Sequence, residues 1–241
     1  MQANYRILIR ARTLELVCLY NDNMARNIFI VFLVLLGIDL SAQTKLSDIK
    51  DIRLVFPVTY ISEIQKGNKA QYNDSLSLIS AQLIDSIIEN YNIDITEKSN
   101  LLEGKTRVQY EKDVVDLSKA SSKLKNLEEI LIPESLLAEL RKSTKKHHLL
   151  IFSSGVTRAK GNYGKEVGKG VAMGILTMGM YYQVPIKGNS NVHAFLIDSE
   201  SGKVLFYKKS FIQDRDPLEP KVLEKQFKAL LKENASLKQN S

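Results

Sequence analysis

The stretch Asn191–Phe211, NVHAFLIDSESGKVLFYKKSF, most narrows what this chain can become. Two runs rich in Val, Phe, Ile, Leu and Tyr flank the turn residues SESG, and such side chains suit a pleated, half-buried surface. Asp198 can accept hydrogen bonds from the backbone of the turn, and Gly202 can take the positive φ that closing it demands. Two antiparallel strands are thereby set next to each other, and the rest of the chain has to build on them.

Upstream, Asp51–Ile61 (DIRLVFPVTYI) reads as a strand, with Pro57 marking an edge or a bulge. A polar loop, EIQKGNKAQYN, leads to a helix with Asp74 as its N-cap and Leu76, Ile79, Leu83, Ile87 and Tyr91 at helical spacing. Asn92–Lys98 is a short strand, and Ser99–Tyr110 has the weak pattern of a loop or hairpin. From Asp113 to about Leu131, the positions Leu117, Ala120, Leu124 and Leu127 predict a second helix, which Pro133 separates from a short third one, ESLLAELRKS. His147–Ala159 is a strand, apolar on both faces at Leu149–Phe152, as near the centre of a sheet. After the hairpin, Leu223, Phe227, Leu230 and Leu231 form the stripe of a closing helix that starts at Asp216–Pro217 or Pro220. The order strand–helix–strand–helix–strand–hairpin–helix predicts an α/β or α+β fold, a single mixed sheet flanked by helices. With 241 residues, 44% of them hydrophobic and 25% charged, the chain is large enough for one such core and too apolar for disorder.

The start of the chain reads as an address. From Met24, the sequence MARNIFIVFLVLLGIDLSAQTK places Arg26 before an apolar run, Ile28–Ile38, and small residues at Ser41–Ala42. This is the layout of a secretory signal peptide cleaved after Ala42, and the run is about half the ~20 residues that a spanning helix needs. Residues 1–23 are expected to be a mis-assigned upstream extension, 24–42 the signal peptide and 43–241 a single exported domain. The one cysteine, Cys18, lies in that extension, so neither a disulfide framework nor a lipid-anchoring cysteine is expected. The chain is basic, with a formal net charge of +7, which favours anionic membrane or cell-wall surfaces over basic partners. An exported protein of this kind is not expected to bind nucleic acid. The expected location is periplasmic or outer-membrane-associated, without a lipid anchor.

The strand IRLVFPV, the helix LSLISAQLIDSIIENY, the passage from IPESLLAEL into HHLLIFSSG, and the hairpin VHAFLIDSESGKVLFY together resemble the TolB N-terminal-like and CsgG-like family of exported envelope proteins. The resemblance runs from about Lys50 to Leu231. It implies a non-catalytic role in envelope assembly, secretion or scaffolding, without a cofactor, with envelope proteins or further copies of the chain as partners. Two departures keep channel formation from being carried over. The chain lacks the lipidated cysteine common in such proteins, and it has no pair of long alternating strands to cross a membrane.

Between residues 161 and 188 lies an insert whose first part, Gly161–Gly179, holds half of the twelve glycines. Gly168, Gly170 and Gly174 give G-x-G-x-x-x-G, one residue too long for the dinucleotide fingerprint, and Gly168–Lys169 is followed by Gly170 where a P-loop needs Ser or Thr. The insert is expected to lie on its own sheet as an apolar loop or short helix, its glycines allowing close backbone approach. The alternative is contact with a membrane or a partner through Gly164, Gly168, Gly170, Gly174, Met178, Met180, Tyr181 and Tyr182, since Gly170–Ile186 carries no charge. Arg141, Lys142, Lys145 and Lys146 are candidates for an anionic surface, against the plainer reading of a solvated helix end.

Catalytic chemistry finds little support. A trio of Ser153 or Ser154 with His193 and Asp198 can be drawn, but FSSGV is not the G-x-S-x-G nucleophile elbow. Adjacent His147 and His148 on a strand point to opposite faces, which prevents joint chelation of a metal. No catalytic, cofactor or metal residue is assigned, and a hydrolase is the third reading, behind a scaffold and a membrane-contacting oligomer.

Overall fold

The computed structural model describes residues 46–231, apart from 66–68, 101–103, 125, 160, 179 and 181–184. The expected extension, signal peptide and cleavage site lie outside the described residues, as do Tyr181 and Tyr182.

The hairpin forms as its residues dictate. Strands β6 (Asn189–Asp198) and β7 (Lys203–Gln213) pair antiparallel. Asp198 Oδ1 accepts from the backbone N–H groups of Glu200 (3.0 Å) and Ser201 (3.1 Å), and Gly202 sits at φ 66°. On its other side β6 pairs antiparallel with β5 (His147–Arg158), the longest strand of the sheet.

Two short strands share the free edge of β5. β1 (Ile52–Leu54) runs parallel to His147–Leu149, and β2 (Val58–Ile64) runs parallel to Phe152–Arg158. The single strand expected over Asp51–Ile61 is thus two, because Pro57 has no N–H to give the ladder. Phe56 N–H leaves the sheet to donate to Ser99 Oγ at 2.8 Å. The loop expected after β2 contains β3 (Ala70–Tyr72), antiparallel to β2, and β4 (Ile95–Lys98) lies parallel to β1. The result is a mixed seven-stranded sheet.

Helices cover both faces. α1 (Asp74–Ile88) and α5 (Pro220–Leu231) bury Ile84, Ile88, Leu223, Phe227 and Leu230 against Ile52, Leu54, Leu149, Ile151 and the even-numbered residues 192–196 of β6. α2 (Gly104–Ser121) and α3 (Glu134–Leu140) bury Val114, Leu117, Leu136 and Leu140 against Leu150, Phe152, Phe195 and Ile197. The period of two along each strand divides these sets, one to each face.

Three details differ from the expectation. The N-cap of α1 is Asn73, whose Oδ1 accepts from Leu76 N–H at 3.1 Å, and its buried stripe runs through Ser77, Ala81 and Ile84 while Ile79 is exposed. α2 begins at Gly104, nine residues before the expected start, ends at Ser121, and buries Tyr110, Asp113, Val114, Leu117 and Ser118. The third concerns the insert. Asn162–Leu176 is a helix, α4, but it does not cover the sheet, for among its side chains and glycines only Asn162 and Gly170 are buried. Gly164 and Gly168 present no side chain to pack, and a Cβ placed at either meets nothing within 4 Å.

Candidate functional site

Two regions stand out: the bare end of α4, and a groove between α2 and the sheet.

α4 is fastened at its start. Asn162 Nδ2 donates to the carbonyls of Ile64 (3.2 Å) and Gln65 (2.9 Å), tying the helix to the end of β2. Its far end is open: Ile175 is 75% exposed, Leu176 78%, Met178 94% and Met180 88%. Lys165 and Lys169 lie nearer its start, Lys169 paired with Glu166 at 2.8 Å, and Lys187 follows the apolar segment. With 15 residues, α4 is about 22 Å long against the ~30 Å of a bilayer core. Among the described residues no helix is long and apolar enough to cross a membrane. Of the insert residues singled out from sequence, Met178 and Met180 are thus the most exposed, Gly164 and Gly168 are exposed, Gly174 is half-buried and Gly170 is buried.

The basic run is engaged within the chain. Arg141 reaches Glu134 (3.3 Å) and donates to the Ser199 carbonyl (2.8 Å), Lys142 pairs with Glu139, Lys145 with Asp51, and Lys146 with Asp198 (3.5 Å) and Glu200 (3.0 Å). These contacts pin the α3–β5 connection to the hairpin turn. Exposed pairs of this kind contribute little each, and together they fix a loop.

The groove encloses about 920 Å³. Its floor is two cross-strand rows on the face shared with α2. Tyr60, Ser154, Asn191 and Phe211 stand in register across β2, β5, β6 and β7, and next to them run Val58, Phe152, His193 and Lys209. Each row crosses four strands, about 14 Å at the usual strand spacing. The wall is α2, through Lys112, Val115, Asp116, Ser118 and Lys119, with Ser122 just past its end. Asp116 is held by Lys112 at 2.9 Å and lies 4.0 Å from Lys119, and the hydrogen bond from Lys112 lowers the pKa of its carboxyl. Lys209 Nζ donates to the Ser122 carbonyl at 2.9 Å, bridging β7 to the end of α2.

His193 is built into this floor rather than poised above it. Asn191 Nδ2 lies 2.9 Å from Nε2 and Tyr207 Oη lies 3.1 Å from Nδ1. With the amide nitrogen donating, the neutral ring carries its proton on Nδ1 and gives it to Tyr207. Burial pushes the imidazole down to about 4, and Lys209 across the strand adds to this. Burial likewise raises Tyr60 to about 12, with Glu111 contributing, and Tyr207 to about 12.

The trio drawn from sequence assembles only in part: Ser154 lines the same groove as His193, but Asp198 does not join them. Ser153 faces the opposite layer from His193, and Asp198 lies five positions along β6 at the turn, about 16 Å away. His147 and His148 diverge as expected, His148 bonding the Lys145 carbonyl (2.9 Å) and Ser199 Oγ (3.2 Å) while His147 lies 3.3 Å from the Lys50 carbonyl. Among the described residues, no three His, Cys, Asp or Glu side chains gather as a metal site. Sequence reasoning did not find the groove: Tyr60, Phe152, Asn191 and Phe211 become neighbours only through the strand register.

No protein-family model matches this chain, and neither does any curated protein sequence. Among solved structures it is similar to the PelC dodecamer from Paraburkholderia phytofirmans, at 11% identity over 76% of this chain and 84% of that one, with a TM-score of 0.33. It is also similar to the LpoB C-terminal domain from Salmonella enterica, at a TM-score of 0.28 over 72% of this chain and 87% of that one. Both likenesses are weak.

Proposed function

We propose that this is an exported, non-catalytic binding or scaffolding component of the bacterial cell envelope, seated on a membrane surface by the end of α4. The observation that carries the reading is the run of bare side chains Ile175, Leu176, Met178 and Met180 at the end of a helix whose start is tied to β2. Each such side chain moved out of water is worth about 1.5–3 kcal/mol, enough together for reversible attachment. Lys165, Lys169 and Lys187 flank the apolar segment and suit anionic headgroups. The signal-peptide layout of residues 24–42 and the TolB- and CsgG-like segments support the same address. The distance of Asp198 from His193 and Ser154 favours binding over hydrolysis.

A second reading, self-association, is favoured by Gly164 and Gly168, which lie one turn apart with open space above both. A neighbouring helix can approach closely there.

Flotation of the purified protein with phosphatidylglycerol-containing vesicles tests the proposal, with light scattering for oligomer size. The protein is expected to float with the vesicles, and a Leu176→Asp, Met178→Asp variant to stay behind with an unchanged melting temperature. A protein that remains in the dense fractions sinks the membrane reading. If it is then also monomeric, and Gly168→Leu changes nothing, the second reading falls with it.

A further inference from the structure

The groove beneath α2 has a composition that its packing role does not require. Phe211 is 61% exposed at the end of the first row, and Tyr60 is half-buried at the other end. Between them stand two small hydrogen-bonding side chains, Ser154 and Asn191. The adjoining row adds Phe152 and His193, whose rings lie 5.6 Å apart. Rings and amide or hydroxyl groups thus alternate over one continuous surface, offering flat apolar faces with polar groups at their edges. A volume of about 920 Å³ falls at the upper end of the range for ligand sites.

The rim is positive. Lys112, Lys119 and Lys209 border the groove against one carboxylate, Asp116, and His193 stays neutral at physiological pH. The positive charge is spread around the opening, not focused at one point. Among the described residues that line the groove, none is a glycine or lies in the first turn of a helix. The end of the groove is formed instead by the C-terminal turn of α2, where carbonyl groups and the negative end of the helix dipole disfavour a dense charge such as a polyphosphate.

From this arrangement we infer that the groove binds an acidic glycan, a carboxylated sugar chain whose rings lie on Tyr60 and Phe211. Its hydroxyl groups meet Ser154 and Asn191, and its carboxylates meet Lys112, Lys119 and Lys209. This inference is independent of membrane attachment through α4.

Calorimetric titration of the purified protein with oligogalacturonate tests it, set against neutral malto-oligosaccharide, poly-glutamate and ATP. Oligogalacturonate is expected to bind, and to bind more weakly as salt rises. Phe211→Ala should weaken binding about 5-fold through the lost ring face, and Lys119→Gln about 3-fold at low salt. Both positions are exposed, and circular dichroism confirms that the variants fold. No binding of the uronate oligomer overturns the inference. Equal or tighter binding of the neutral glycan, poly-glutamate or ATP overturns it too, as does binding that Phe211→Ala leaves unchanged.

Discussion

Phe152 and His193 face each other across β5 and β6, their rings 5.6 Å apart and both nearly closed to solvent. An imidazole in that setting is held neutral, with burial pushing it to about 4, as it does His148. The groups around His193 reinforce this, since Lys209 is positive, Tyr207 accepts the Nδ1 proton and Asn191 turns a donor toward Nε2. The unfolded chain binds protons at these histidines below about pH 6.5, while the folded one does so only near pH 4. Stability is therefore expected to be fully present above pH 6.5 and to fall as the pH drops towards 4, by up to about 3 kcal/mol per histidine. Urea titrations across that range check it. His193→Leu should flatten the slope, and a slope unchanged in that variant would count against the assignment.

Gly155 should not tolerate a side chain. A Cβ there comes within 2.5 Å of the Asn189 carbonyl oxygen and 2.7 Å of Pro217 Cβ, groups fixed by β6 and by the lead into α5. Neither is the free end of a flexible side chain, so Gly155→Ala has to move backbone and is expected to cost about 1–3 kcal/mol. Chemical denaturation measures it, and Gly164→Ala, with open space above it, serves as the control.

The parts of the fold that could be read from sequence are those in which chemistry and position coincide over a few residues. Asp198 and Gly202 specify their turn whatever surrounds them, and Leu223, Phe227 and Leu230 define the buried face of α5 without interruption. The bounds of α2 are hidden in the sequence because Asp113, Ser118 and Ser121 lie within its buried stripe. Asp113 is satisfied by Gln109 (2.8 Å) and Ser135 (2.5 Å), and Ser121 by the Leu117 carbonyl (2.8 Å), so a polar pattern conceals a helix face. Leu124 and Leu127, which suggested that the helix runs on, lie beyond its end, Leu127 opening a 3-10 turn capped by Asn126. The insert departs from its pattern for the opposite reason. Its composition looks fit for burial, but Gly164 and Gly168 leave no packing surface to bind α4 to the sheet. The groove was illegible for a third reason, since its floor is drawn from four strands spread over 150 residues of chain.

Ser153 is fully buried on the layer that α1 and α5 cover, opposite Val192, and its Oγ has no hydrogen-bond partner among the described residues. A hydroxyl removed from water without compensation is a cost of about 1–3 kcal/mol. Ser153→Ala leaves only a small void and is expected to stabilise the fold by about 1 kcal/mol. A thermal melt that moves downward instead would show that the hydroxyl is satisfied in solution.

Gln226 is the reverse case, a buried polar side chain with its bonds made. It accepts from Ser190 Oγ at 2.7 Å and donates to the carbonyls of Ser190 (3.0 Å) and Ser210 (3.1 Å), so one side chain of α5 fastens both strands of the hairpin. Gln226→Leu keeps much of the volume but abandons the Ser190 hydroxyl and two carbonyl bonds in a site closed to water. The expected loss is about 3 kcal/mol, from a net contribution near 1 kcal/mol per bond and the penalty for the stranded hydroxyl. Adding Ser190→Ala removes that hydroxyl as well, so the double variant should recover about 1 kcal/mol relative to Gln226→Leu alone. Urea denaturation of the four proteins closes the cycle. Additive losses would mean that the Ser190–Gln226 bond contributes nothing, and that α5 is held to the hairpin by its apolar stripe alone.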